Sequence, residues 1–235
     1  MARRLRFDLD AMRPTTPTPH SRAGFTLVEM MIVVAMLGIL AALGAPMLRG
    51  FFDDLRLKAG ARDAADALRF ARIEAIRTGT PHIVFFSTGP GDPGGTPLPN
   101  DPTTGGPVPL VIVRDDNNNC RIDASDPQRV ILSKPGLSWG DAVSGGVAVD
   151  DDSGAIDHSS GSSFKTAAGA GTNWVRFRSD GVPNVFDAAC TPGALGSGAG
   201  ALYITNGKRD YAVAMSALGN VRVHAWNATT GAWSQ

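Results

Sequence analysis

An apolar run of 24 residues, numbers 25–48, requires a membrane or another apolar environment. A helix needs about 20 such residues to cross the hydrocarbon core of a bilayer. A secretory signal has a shorter apolar core, of about 7–15 residues, that ends in an A-x-A-like site, and this run lacks such an end. Glu29 is its single charged side chain. Because a charge inside a membrane helix is costly, we interpret Glu29 as functional and expect it to have a partner.

Positive charge dominates the segment before the apolar run, with five arginines against two acidic residues. This excess predicts that the amino terminus stays in the cytoplasm and that the chain after the run is exported. No second apolar run of this length follows, so we expect a single membrane span. The charged residues are Arg3, Arg4, Arg6, Arg13 and Arg22, with Asp8 and Asp10.

The start of the run resembles the processing site of type IV prepilins and type II secretion prepseudopilins. The matching residues are Gly24-Phe25-Thr26-Leu27-Val28-Glu29. The resemblance implies that a prepilin peptidase cuts after Gly24 and methylates the new amino terminus, Phe25. It also implies that Glu29 gains its partner only after this cut, by pairing with the Phe25 amine of a neighbouring subunit. Residues 1–24 are then a cleaved leader and residues 25–48 a transmembrane helix.

The helix is expected to continue out of the membrane as an amphipathic segment, residues 49–79. Pro46 predicts a kink or local melting within it, and Gly79 predicts its end. Phe70 and Ile73 lie off the apolar stripe and predict a second contact, either with the domain's own sheet or with neighbouring subunits. The stripe itself, at three- to four-residue spacing, consists of Leu57, Ala61, Ala64, Leu68, Ala71 and Ala75.

After residue 80 the pattern changes to short apolar runs separated by turn-rich segments. The segments 89–106 and 138–171 are predicted to be long surface loops. The predicted fold is α+β, with a long amino-terminal helix packed on an antiparallel β-sheet in a globular domain of residues 80–235. Strands are predicted at residues 82–87, 110–114, 129–132, 174–178, 201–205, 211–216 and 221–226.

This order of segments is similar to that of the GspH/FimT group of minor pseudopilins and minor pilins. The similar stretches are residues 67–81, 113–119, 175–181 and 219–223. The resemblance implies a type IV pilin-like fold and a structural role as a minor subunit of a type II secretion pseudopilus, involved in protein export. The alternative is a minor pilin of a type IV pilus, with a role in priming, adhesion or DNA uptake.

The same resemblance implies a location and a set of partners. The protein is expected in the bacterial inner membrane, with its globular domain in the periplasm, and then in a filament. Its expected partners are the prepilin peptidase, other pilins or pseudopilins that contact the amino-terminal helix, and an inner-membrane assembly platform.

Cys120 and Cys190 both lie in the part of the chain that is predicted to be exported. Disulfides form and persist outside the cytoplasm, and this one would close a loop of about 70 residues, worth roughly 4 kcal/mol on the chain-entropy model. We therefore predict a structural disulfide. Two separate buried thiols are the alternative.

No arrangement of catalytic residues is recognisable in the mature chain. Its histidines, His82, His158 and His224, form no H-E-x-x-H pattern, and no G-x-S-x-G nucleophile elbow is present.

Removing the leader from a chain with 22 basic and 22 acidic residues leaves 17 basic and 20 acidic. This balance argues against a generally basic nucleic-acid-binding chain. We expect a structural protein rather than an enzyme, and no cofactor, with calcium as the one candidate.

One acidic segment has the spacing of a calcium loop. Its oxygen-bearing residues occupy positions 1, 3, 5, 9 and 12 of an EF-hand-like loop, and calcium takes six to eight oxygens. Cys120 occupies the sixth position, where the sharp turn favours glycine, and Asp and Asn are also common in hairpin turns. A calcium site and a plain polar turn both stay open, and the turn is favoured. The candidate ligands are Asp115, Asn117, Asn119, Asp123 and Asp126.

DNA binding is the remaining candidate activity, because residues 165–235 hold six basic and three acidic side chains. Arginines suit phosphates and aromatic rings suit bases. Some members of the resembled family bind DNA through a Gly-Arg-x-Arg segment, but here Asn220 replaces the first arginine before Arg222. An ordinary solvated strand face is the favoured alternative. The candidate residues are Arg176, Arg178, Lys208, Arg209, Arg222 and Trp226.

Overall fold

A computed structural model describes residues 24–89, 91–149, 161–166 and 168–234. The chain divides into two units, residues 1–47 and 48–235. One helix, α1 (Leu27–Thr78), contributes to both. It is helical through Pro46, so the local melting that the proline predicts is not found. The predicted leader, apart from Gly24, lies outside the described residues.

In the first unit the described part is the apolar half of α1. It is long and apolar enough to cross a membrane, and the side chains of this stretch are exposed, Phe25 by 82% and Leu37 by 59%. A soluble protein rarely leaves a continuous apolar surface of this size in water. By length and composition, this segment is therefore a candidate membrane span.

Helix α1 ends where the sequence predicts. Gly79 has a φ of 68° and its N–H donates to the Ala75 carbonyl at 3.0 Å. The Thr78 hydroxyl donates to the Glu74 carbonyl at 2.7 Å. Glycine is favoured at such a position because a side chain is strained at positive φ.

The second unit contains two antiparallel five-stranded sheets. The first has the order β3-β2-β1-β5-β6 and the second the order β10-β9-β8-β7-β4. The α+β fold with a long amino-terminal helix is confirmed, but the single predicted sheet is in fact two. The strands are β1 (His82–Phe86), β2 (Leu110–Arg114), β3 (Gln128–Ile131), β4 (Ser138–Trp139), β5 (Trp174–Phe177), β6 (Pro183–Asn184), β7 (Gly200–Thr205), β8 (Asp210–Met215), β9 (Val221–Asn227) and β10 (Ala232–Ser234).

The main core lies between α1 and one face of each sheet. The predicted helical stripe is buried, and Leu57, Leu68 and Ala71 are fully inaccessible. Phe70 also packs against this core, and the Arg129 guanidinium lies 4.1 Å from the centre of its ring. Ile73 is 60% exposed, so the two off-stripe residues do not share one contact. The sheets contribute Val84, Phe86, Leu110, Ile112, Val175, Phe177, Leu202, Ile204, Val213, Met215 and Val221.

Two arginines of α1 fix the helix to the turn between β8 and β9. Arg69 donates to the Val221 carbonyl and Arg72 to the Gly219 carbonyl, each at 2.9 Å. Hydrogen bonds from a charged donor are among the stronger ones in proteins. The helix is thereby joined to chain segments about 150 residues further on.

The sequence predicts that the segment 89–106 is a surface loop. In the structure, part of this segment is buried. Leu98 is buried in a second core on the outer face of the first sheet. The buried carboxylate of Asp101 accepts backbone hydrogen bonds from Ser133, at 2.6 Å, and Thr103, at 2.7 Å. These two bonds lower the pKa of Asp101 to about 2. A carboxylate that satisfies backbone donors lets an irregular segment pack without strand pairing.

Candidate functional site

The amino end of α1 is closed by a reciprocal pair of hydrogen bonds between Thr26 and Glu29. The Glu29 N–H donates to Thr26 Oγ1 at 3.2 Å, and the Thr26 N–H donates to Glu29 Oε2 at 3.0 Å. The Thr26 hydroxyl also donates to Glu29 Oε2, at 3.1 Å. This is a capping box, in which a Thr and a Glu three residues later satisfy free backbone donors.

The expectation that Glu29 has no partner before processing is therefore wrong. Its carboxylate already accepts two hydrogen bonds from Thr26, within the same chain. A negative charge in the first turn also interacts favourably with the helix dipole, by about 0.3–1 kcal/mol. Sequence reasoning missed Thr26, although the T-x-x-E pattern before an apolar run is a known capping signal.

The geometry places this carboxylate close to the expected cleavage point. Gly24 and Phe25 precede the helix, and Phe25 and Leu27 are 82% and 75% exposed. A cut after Gly24 would leave Phe25 as the residue directly before the capping threonine. The new amine would then lie one residue before the Thr26 N–H, which now donates a hydrogen bond to Glu29.

Cys120 and Cys190 form a disulfide in the structure, with their Cα atoms 5.6 Å apart. Cys120 follows β2, and Cys190 lies in the loop between β6 and β7. Both residues have positive φ, 59° and 63°. The bond therefore connects two irregular segments over the second core, where Cys120 is buried.

Removing this disulfide should destabilise the domain by about 2–5 kcal/mol, because the unfolded chain regains the freedom of a 70-residue loop. Urea unfolding of the detergent-solubilised Cys120→Ala/Cys190→Ala protein, compared with wild type, measures the loss. The matched control is wild type in reductant, which should show a similar loss. Equal stability of all three samples would contradict a structural role for the disulfide.

The five calcium candidates lie in one loop between β2 and β3. Asp115 Oδ1 accepts the N–H groups of Asn119 and Cys120, at 3.0 and 3.3 Å. The side-chain amides of Asn117 and Asn119 both donate to Asp123 Oδ2, at 2.8 and 2.7 Å. Hydrogen bonds of this kind occur in a plain polar turn and equally hold a cation loop in shape.

Negative charge is concentrated at the end of this loop. Asp126 is 7% exposed, and burial together with the carboxylates of Asp123, Asp116 and Asp115 raises its pKa. Asp116 itself faces outward and forms an ion pair with Arg114 at 2.6 Å. Among the described residues, no three His, Cys, Asp or Glu side chains gather as a metal site made of those residue types alone.

The DNA-binding candidates are divided between the two sheets. Arg176 lies on β5 of the first sheet, and Arg178 directly follows that strand. In the second sheet, Arg222 and Trp226 lie on β9, and Lys208 and Arg209 lie in the turn between β7 and β8. Three of these arginines form ion pairs within the described residues: Arg176 with Asp115 at 3.9 Å, Arg178 with Asp180 at 3.0 Å and Arg209 with Asp54 at 3.3 Å.

Within the second sheet the candidates are also separated. Because β8 and β9 pair with Met215 opposite Val221, Lys208 and Arg222 lie at opposite ends of the two strands. Trp226 packs edge-on against Trp233, with ring centres 5.2 Å apart. These residues do not form one basic face, and DNA binding stays a prediction.

The two described histidines, His82 and His224, are both buried. His82 is buried on β1, with Nδ1 3.0 Å from the Thr80 carbonyl, and burial lowers its pKa. His224 is buried on β9. His158 lies outside the described residues.

Two family models match the chain. A prokaryotic N-terminal methylation motif matches residues 19–45, and the model of type II transport protein GspH matches residues 60–219. The chain is also 40% identical over 58 residues to the type II secretion system protein H of Xanthomonas campestris pv. campestris. That alignment covers 25% of this chain and 34% of the relative, so the chain spans about a third of the length of the curated relative it matches. No solved structure matches the chain significantly.

Proposed function

The chain belongs to the family of type II transport protein GspH, and from this premise we propose that it is a minor subunit of a type II secretion pseudopilus. One observation carries the proposal. The methylation motif coincides with the capped start of an exposed apolar helix, and the GspH match covers the domain that follows it. A membrane anchor with a processing motif and a structural domain is what a filament subunit requires.

The proposed path of assembly begins in the inner membrane, with the globular domain in the periplasm. A prepilin peptidase cuts after Gly24 and methylates Phe25. The side chains of residues 25–43 are exposed and supply the surface on which neighbouring pseudopilins pack. The apolar half of α1 keeps the processed subunit in the membrane until the assembly platform incorporates it.

Glu29 has two roles in this proposal. Before processing it closes the helix start through Thr26. After processing the amine of a neighbour's Phe25 offers a charged donor, which is a stronger partner than a neutral N–H group in a medium of low dielectric. The intrachain cap therefore keeps the carboxylate satisfied until the intermolecular contact replaces it.

The comparisons favour secretion over the alternative of a type IV pilus, since both the family and the similar protein carry type II transport names. Deleting the gene from its host should stop export of type II substrates, which should accumulate in the periplasm. Comparing cell-free supernatant with periplasmic extract measures this result, and complementation with the intact chain should restore export. Surface pili and twitching, scored in parallel, should be unchanged. Normal export with loss of pili would overturn the proposal in favour of the pilus role.

A further inference from the structure

Two buried carboxylate oxygens in the loop of residues 115–126 have no hydrogen-bond partner. They are Asp115 Oδ2 and Asp126 Oδ2. Asp115 is fully inaccessible and Asp126 is 7% exposed. A buried charged oxygen without a donor is strongly unfavourable unless a cation compensates it.

The nearby arginines supply that compensation only in part, through one long ion pair between Arg176 and Asp115. Arg176 Nη2 is 3.9 Å from Asp115 Oδ2, too far for a hydrogen bond, and donates instead to Asn118 Oδ1 at 2.7 Å. Arg114 is held by the exposed Asp116, with bonds of 2.7 and 2.6 Å. Within the described residues, no ion pair to Asp126 is found.

The backbone of the loop is wrapped around the Asp115 carboxylate. Its Oδ1 accepts two successive N–H groups, and the chain turns sharply with Asn118 at a φ of 56° and Cys120 at 59°. The base is closed where the Arg114 N–H donates to the Pro127 carbonyl at 3.0 Å. Paired strands β2 and β3 thus hold the two ends of the loop together.

Three of the oxygen-bearing side chains converge inside this loop. Asn117 and Asn119 both reach Asp123 Oδ2, so the third, fifth and ninth positions of the loop meet at one point. Asp115 and Asp126 stand at the first and twelfth positions. An EF-hand loop takes its ligands from these five side chains and from the main-chain carbonyl at position seven, here Arg121.

We propose that residues 115–126 form a calcium site held between two β-strands. Its ligands are the side chains of Asp115, Asn117, Asn119, Asp123 and Asp126 and the Arg121 carbonyl. Hard oxygen donors that include neutral amides and a main-chain oxygen suit calcium better than zinc, which takes nitrogen and sulfur ligands. On binding, the two asparagine amides present their oxygens to the ion.

Calcium titration of the detergent-solubilised full chain tests the proposal, with calcium chloride as the probe and calorimetry as the readout. We expect binding with a Kd on the order of 10⁻⁴–10⁻³ M, as in extracellular modules with few carboxylates. Calcium, compared with chelator, should also raise the unfolding temperature, because it binds only the folded loop. Magnesium should have little effect, since it requires stricter octahedral geometry.

Variants identify the site. Asp126→Asn should weaken binding by at least about tenfold, because it removes a charged ligand. Asn117→Ala removes a ligand at an exposed position and should weaken binding without threatening the fold. Asp116→Asn is the matched control, since its carboxylate faces outward to Arg114, and it should bind as wild type. No heat at millimolar calcium, or equal loss in the Asp116 control, would overturn the proposal. Neither result depends on pseudopilus assembly.

Discussion

Glu29→Ala is expected to abolish incorporation of the chain into filaments while leaving its insertion in the membrane intact. The substitution removes the carboxylate that should meet the amine of a neighbouring Phe25. It also removes the acceptor for the Thr26 N–H, which costs about 0.5–2 kcal/mol at the helix start. Insertion should be retained, because the apolar run becomes more apolar. Fractionating cells into membranes and sheared filaments, with quantitative immunoblotting, measures both outcomes.

Two companion variants separate the charge from the cap. Glu29→Gln keeps an oxygen acceptor for the Thr26 N–H but carries no charge, so it should fail in assembly like the alanine variant. Thr26→Ala removes the hydroxyl from the capping box and keeps the charge, so it should assemble. A Glu29→Ala chain found in filaments at the wild-type level would refute the assembly role. A functional Glu29→Gln chain would show that helix capping alone is needed.

Leu68→Ala should destabilise the globular unit by about 2–5 kcal/mol. Leu68 is fully buried on α1, in the core between the helix and both sheets, so the shorter side chain leaves a cavity that two sheets and a helix cannot readily close. A marginal protein domain has only about 5–15 kcal/mol of stability to lose. Urea unfolding of the full chain in detergent, followed by tryptophan fluorescence, gives the change.

Ile73→Ala is the control on the same helix. Ile73 is 60% exposed, and its truncation should change stability by no more than about 0.5 kcal/mol. If both variants lost the same stability, the burial pattern of α1 in the structure would be wrong. If the Ile73 variant were stable but poorly assembled, its exposed face would be a subunit contact.

Long, regular segments of this fold were predictable from the sequence. The helix is identified by its composition, its apolar spacing and the glycine at residue 79, and β1, β2 and β7 by unbroken apolar runs. The strands β4, β6 and β10 have only two or three residues, too few to show a period of two. Without these short strands, the division of the domain into two sheets could not be predicted from the sequence.

The irregular segments were less predictable for another physical reason. Leu98 stands alone among prolines and glycines, so no periodic pattern reveals that it is buried. Its burial depends on Asp92 and Asp101, whose carboxylates accept backbone N–H groups up to 32 residues away. The family resemblance, carried by a compact motif, is confirmed by both family matches. The capping role of Thr26 was readable in the same six residues.

The two arginine contacts that join α1 to the turn after β8 also determine when the domain can fold. Arg69 reaches a carbonyl 152 residues later, so this contact cannot form until nearly the whole chain has been made. At a synthesis rate of about 5–20 residues per second, this delay is roughly eight to thirty seconds. Contacts between residues so far apart in the sequence form slowly, because a long loop must close first. Until its last strands have been made, the subunit therefore lacks the contacts that join its first helix to its carboxyl-terminal sheet.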